Sequence, residues 1–143
     1  MPPSKAKNIM IGVLDFTKKE AIQLAMDIHG RLVEETPKDT GWAASNWVPQ
    51  IGSRYSSTVG SPEGIDTSQQ VAGMAQLAGW DIKKGPAFIS NNVEYIQALN
   101  AGHSQQAPAM FVEKIVQSEV AKARSGRGIV RRALGGIRTF FFG

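Results

Sequence analysis

Cysteine does not occur in this 143-residue chain. Disulfide staples, thiolate metal sites and cysteine nucleophiles are therefore excluded, and stability has to come from a packed apolar core, which a chain of this length can build. Also missing is any run of about 18 apolar residues, the length a membrane-spanning helix requires. Met1-Pro-Pro-Ser-Lys5 lacks the apolar character of a secretory leader, so a protein made in the cytoplasm and without a membrane partner is expected. Glycine-rich phosphate cradles are absent too. Neither GxGxxG nor GxxxxGK[ST] appears, and Ser125-Gly-Arg-Gly128 is basic but has no strand-loop-helix context.

Histidine is scarce, with two residues. His29 falls beside the apolar stripe of a helical segment, where packing outweighs metal ligation as its role. His103 lies in Gly102-His-Ser-Gln-Gln106. His103 and Ser104 could be written as a base and a nucleophile, but neighbours on a loop rarely aim at one another, and no orienting acid accompanies them. Glu34 and Glu35 diverge because helical neighbours are about 100° apart. The expectation is a protein that is not an enzyme, with no catalytic residue, metal, cofactor or small-molecule substrate. A hydrolase using His103 ranks last among the readings.

Acidic residues stop at Glu119, which makes the net charge of +4 asymmetric. Residues 1–119 hold ten Lys/Arg and all twelve Asp/Glu, whereas residues 120–143 hold six cations and no acid. A basic end of this kind can attract phosphate or an acidic protein surface, or simply be solvated.

Along the chain, residues up to about Asp15 read as a polar opening. Thr17-Lys-Lys-Glu20 has capping-box spacing, and Ala21, Leu24, Ala25, Ile28 and Leu32 recur at three- and four-residue steps, predicting an amphipathic helix. Pro37 biases Thr36 away from helical dihedrals and ends that helix near Glu35. Ser45 to about Val59 is rich in aromatic and β-branched residues and predicts a strand or bent hairpin. Pro49 cannot donate a ladder hydrogen bond, so that strand belongs at an edge or carries a bulge. Ser61-Pro-Glu-Gly-Ile-Asp66 is loop chemistry; Asp66, Thr67 or Ser68 then caps a helix with Val71, Met74, Leu77 and Ala78 inward and Gly79 as its stop. Phe88 to Val93 predicts a second strand whose Asn91-Asn92 pair suits a left-handed turn. Tyr95, Ile96 and Leu99 form one helical face stopped by Gly102. Pro108 is a good first-turn residue for a last helix carrying Phe111, Val112, Ile115, Val116 and Val120 inward as far as Ser125-Gly126.

Two distant stretches are most informative when read together. Thr36-Pro-Lys-Asp-Thr-Gly41 follows a helix and precedes a strand near Ser45 and Trp47. Phe88-Ile-Ser-Asn-Asn-Val93 with Tyr95 leads into Leu99-Asn-Ala-Gly102, and Gln106-Ala-Pro108 with Phe111 and Val112 opens the last helix. In this order, over roughly residues 17–124, they resemble the tail-component family of tailed bacteriophages, whose members sit where the DNA-filled head joins the tail. The family's usual "TP-x-DTG" and "LEYG" motifs correspond to Thr36–Gly41 and Leu99–Gly102. Trp42 stands where the family often has a basic or polar residue, and Asn100-Ala101 replaces an acidic-aromatic pair.

The expected fold is α+β: a small, mostly antiparallel sheet packed against two main helices over 17–35 and 108–124, with loops 60–70 and 100–107 projecting. Residues 1–124 form one domain in this reading and 125–143 a basic C-terminal extension. The resemblance implies a structural virion protein that joins head to tail as a neck, tail-completion or tail-terminator subunit in a homo-oligomeric ring, with six as the expected copy number. Its partners would be neighbouring neck and tail proteins and the DNA passing through the neck, and its location the virion. Candidate contact residues are Trp42, His103, Gln105 and Gln106, and in the extension Arg127, Arg131, Arg132, Arg138, Phe140, Phe141 and Phe142. Trp and Arg are favoured at interface hot spots, and exposed phenylalanines invite a partner. The alternative is a small basic nucleic-acid-binding protein that uses residues 120–143 as its electrostatic arm.

Overall fold

A computed structural model of the chain describes residues 7–13, 17–126 and 137–142, with side chains described for 17–125. Thr17 opens helix α1 (Lys18–Glu35) through the expected capping box: its hydroxyl accepts from Glu20 N at 3.2 Å, and Glu20 Oε1 accepts from Thr17 N at 3.0 Å. Leu24, Ala25, Ile28, His29 and Leu32 are its buried residues. At the other end Thr36 is extended, as the following proline requires, and its hydroxyl returns to the Leu32 carbonyl. Lys38 Nζ donates to the carbonyls of Glu34 and Thr36, so side chains satisfy the open end of the helix.

Four strands, β1 (Lys7–Val13), β2 (Val48–Ile51), β3 (Ala87–Asn91) and β4 (Ile137–Phe142), form one sheet in the order β2-β3-β1-β4. Every pairing is antiparallel. The short helices α2 (Trp42–Ser45) and α4 (Ile96–Asn100) flank β2 and β3 in sequence, and the longer α3 (Ser68–Ala78) and α5 (Phe111–Gly126) complete an α+β fold.

The main core lies where α1 meets α5. Leu24, Ile28 and Leu32 pack in one cluster with Phe111, Val112, Ile115, Val116 and Val120, closed by Trp47, Ile89, Val93 and Ile96. Trp47 is fully buried, and its indole nitrogen donates to Thr36 Oγ1 at 2.7 Å, so the ring fills the core without leaving a polar atom unpaired. A smaller cluster of Ala25, Leu77, Trp80 and Ala87 lies beneath α3. Glu119, 5% exposed, links the two main helices: its Oε2 meets Arg31 Nη1 at 3.0 Å and Lys122 Nζ at 2.9 Å. Two cations and a shared carboxylate keep this buried charge compensated.

Pro49 lies on β2, an edge strand, as its chemistry demands. Gly52 N donates to Pro86 O along the ladder, whereas Ile51 N points the other way and donates to Gln76 Oε1 at 3.1 Å. Successive backbone groups alternate, so the Pro49 nitrogen also faces outward, where no ladder donor is needed.

Several expectations are corrected. Residues 7–13, read as polar opening, are β1, an inner strand paired to β3 and β4 (Asn8 opposite Ser90 and opposite Phe142). Both partners are remote in sequence, so no local turn advertises the strand. The end of the basic extension is likewise a strand, β4, beside β1. The extended stretch from Ser45 shortens to Val48–Ile51, because Trp42–Ser45 completes a helical turn first. Of the α3 residues expected inward, Leu77 is buried and Met74 packs in part against the smaller cluster, whereas Val71 is 65% exposed and Ala78 is exposed; Gly73 is buried as well. A Cβ on Gly73 would stand 2.2 Å from Pro49 O, so this helix touches the sheet through its glycine as well as through Leu77 and Met74 of the smaller cluster. Asn91 and Asn92 do not take left-handed dihedrals; Met110, with φ 61°, is the one non-glycine residue that does among the described residues. The last helix starts at Phe111, three residues after Pro108.

Candidate subunit-contact surface

The two motif halves, remote in sequence, meet at Gln106. Its Oε1 accepts from Lys38 N at 2.8 Å, and its Nε2 donates to Asp39 Oδ1 at 3.2 Å. Gln106 N in turn donates to Ser104 Oγ at 3.1 Å. One side chain therefore ties the loop before α5 to the turn after α1. Neither hydrogen bond is visible in local sequence, because each joins residues that only the packing of α1 against α5 brings together.

Each side of this junction carries a groove of about 310 Å³. The first runs between the end of α1 and the 106–108 segment, with Glu34, Glu35 and Lys38 on one wall and Gln106 and Pro108 on the other. The second is more apolar, lined by Pro37, Pro62, Tyr95 and Leu99, with Asp39 and Thr40 at its polar side. Partial burial, then the negative charge of Asp39, holds the Tyr95 phenol above its ordinary pKa, against a hydrogen bond with Thr40. Tyr95 is therefore a neutral hydroxyl at the groove wall, its ring tilted 58° from that of Trp42 at a centroid distance of 6.0 Å.

Gly41 opens α2 with φ 87°, the positive angle that the turn after Asp39-Thr40 requires. Trp42 then lies half-buried against the main core, and its Nε1 donates to Val59 O at 2.9 Å. Asn46 completes that attachment by accepting from Val59 N at 2.8 Å and donating to Val59 O at 3.1 Å, so its amide stands in for a neighbouring strand. Ser90 and Asn92 hold the carbonyl of Tyr55 in the same way. Side chains thus tether the stretch from 55 to 59, which is not part of a strand.

Asn100 ties the end of α4 to the start of α5. Its Oδ1 accepts from Val112 N at 2.9 Å, its Nδ2 donates to Glu113 Oε1 at 2.7 Å, and its carbonyl accepts from Met110 N at 2.6 Å. A residue from α4 therefore caps the start of α5, where open amide groups need an acceptor. Within this clamp Met110 takes a left-handed conformation, and its side chain is 53% exposed.

Of the candidate contact residues, Trp42 is turned largely into its own chain, Gln106 locks the junction, and His103 and Gln105 stand exposed on the loop between α4 and α5. Arg138, Phe140, Phe141 and Phe142 belong to β4, in register with Gly12, Met10, Ile9 and Asn8. Arg127, Arg131 and Arg132 lie outside the described residues. Sequence reasoning missed Lys38, Asp39, Tyr95 and Asn100 as parts of this surface; the signal for Asn100 was a polar residue at the end of an apolar helical face. His29 is buried, with Nε2 at 2.9 Å from Trp47 O. Among the described residues no group of three or more His, Asp or Glu is placed to hold a metal ion, and no helix is long and apolar enough to cross a membrane. No protein-family model, curated protein or solved structure matches the chain.

Proposed function

We propose that this chain is a structural subunit of a tailed-phage virion that joins head to tail, acting in a homo-oligomeric ring as a neck, tail-completion or tail-terminator protein. The observation that carries the reading is the junction at Gln106. The two segments that resemble the tail-component motifs are brought into one exposed rim with a groove on either side. An exposed, grooved rim on a small α+β domain suits a heterologous contact, and such contacts close into rings when the rotation between copies permits. The neighbours in this reading are further copies, adjacent neck and tail proteins, and DNA in the channel.

Charge distribution favours a second reading strongly enough to be tested alongside. Residues 17–125 hold ten Lys/Arg against eleven Asp/Glu, so the positive excess of the chain sits wholly in its terminal segments. A nucleic-acid-binding protein built this way would bind duplex as a monomer, with affinity falling steeply as salt rises. Deleting the gene from its phage separates the two. The joining role gives a lysate of filled heads and finished tails that stay apart; joined particles, or a lysate without heads and tails, contradicts it.

A further inference from the structure

The groove beside Tyr95 lies at one end of the domain. There the turn after α1 meets the loop before α5 through Lys38 and Gln106, while Arg31, farther back on α1, meets Glu119, farther along α5. The two helices therefore run antiparallel, and α5 carries Gly126 about 22 Å away from Phe111 at the usual helical rise. The sheet follows the same axis. Lys7 pairs with Asn91, whose Nδ2 donates to the carbonyl of the groove residue Ala43 at 2.8 Å. Ile137 pairs with Val13 at the other end of β1, about 20 Å off at the usual strand rise. Both anchors of residues 127–136 thus stand at the end remote from the groove. Reaching their own groove and returning would take more than about 40 Å, whereas the steps from Gly126 to Ile137 span at most about 38 Å of fully extended chain.

We propose that this groove takes residues 127–134 of a neighbouring copy. The chemistry of the two parts is complementary. Pro37, Ala43, Pro62 and Leu99 give the groove an apolar floor, with Asp39 on its polar side. Glu63 and Glu94 are exposed and directly adjoin the lining residues Pro62 and Tyr95. Among the described residues no Lys or Arg lines the groove, and the nearby Lys38 turns its Nζ onto the carbonyls of Glu34 and Thr36. An apolar channel edged by carboxylates suits an aliphatic segment that carries cations. Arg127-Gly-Ile-Val-Arg-Arg-Ala-Leu134 has that composition, with three arginines, four aliphatic residues and no acid. Because the two parts sit at opposite ends of one chain and cannot meet within it, the contact is head-to-tail, the kind that closes into rings. It names the subunit interface of the ring proposed above and rests on that reading for ring closure alone.

Charge reversal on the full chain, read by sedimentation velocity at physiological salt, provides the test. Wild type is expected to associate. Glu63→Arg with Glu94→Arg sets cations at the groove, and Arg131→Glu with Arg132→Glu sets acids in the segment. Each reversed chain alone opposes like charges and should associate about tenfold or more weakly. Mixed in equal amounts, the two should associate again, since every groove then faces a segment of opposite sign. If a reversed chain does not melt cooperatively, Glu63→Gln with Glu94→Gln, or Arg131→Gln with Arg132→Gln, takes its place, and weaker association than wild type is again expected. A monomeric wild type overturns the proposal. So do variants that associate as wild type does, or reversed chains that stay apart when mixed. Association by this contact without union of heads and tails leaves the contact standing and removes the joining role, whereas a monomeric chain that unites them does the opposite.

Discussion

Gly41 turns the chain at φ 87° with no atom within 4 Å of where a Cβ would stand. A substitution there meets backbone strain alone, so Gly41→Val should cost about 1–2 kcal/mol and Gly41→Asn less, because Asn tolerates the left-handed region. Equal melting temperatures for wild type and Gly41→Val would show that the turn relaxes without loss. Asn100 is the converse case, in which the side chain matters more than the dihedral. Asn100→Ala removes the acceptor for the Val112 amide and the donor to Glu113, and should destabilise by about 1–3 kcal/mol as read by urea unfolding. His29 adds a pH dependence. Its Nε2 donates to the Trp47 carbonyl, yet burial outweighs that bond and holds the imidazole below its ordinary pKa. The native state therefore keeps His29 neutral while the unfolded chain takes up a proton as pH falls through about 6.5. Stability is fully present above that value and is lost as pH drops from there toward the native pKa. Urea midpoints at pH 7.5 and 5.5 should differ more for wild type than for His29→Gln; an identical drop in both would assign the effect elsewhere.

At the scale of elements, the contact of α3 with β2 is the most sensitive to volume. Gly73→Ala places a methyl group 2.2 Å from Pro49 O, against backbone that cannot swing aside as a flexible side chain can. A loss of about 1–3 kcal/mol is expected even though alanine is the better helix former, because overpacking outweighs propensity. A stabilised Gly73→Ala would mean that α3 stands farther from the sheet. The same helix shows where a sequence stops being legible. Its expected stripe of Val71, Met74, Leu77 and Ala78 holds at Leu77 and in part at Met74 but fails at Val71 and Ala78, and the closest approach to the sheet is made by a glycine that hydrophobic patterning cannot score. The first helix, in contrast, is legible from Thr17 to Pro37 because its start, stripe and stop are all local chemistry. Pro49 also reveals its edge position from one missing N–H. β1 and β4 are hidden for the opposite reason: each is recognised by a partner remote in sequence, and neither carries a hairpin turn. The rim around Gln106 was visible as two motifs but not as one surface, since its hydrogen bonds depend on α1 and α5 packing side by side.

For the whole molecule, the architecture separates stability from contact. The α1–α5 core and the Glu119 carboxylate lie away from solvent, while the Gln106 rim presents what a neighbour could use. The basic excess sits in the terminal segments, so association through them should weaken with salt, while association through the rim should not. The proposed joining of heads to tails can be reconstituted. Heads and tails from a lysate lacking the protein are mixed with the purified chain, and infectious particles are counted. Titre is expected to rise with added protein and micrographs to show united particles, with Gln106→Ala less effective at equal folded concentration. A titre that stays at the level of the unsupplemented mixture, with folded chain present, contradicts it.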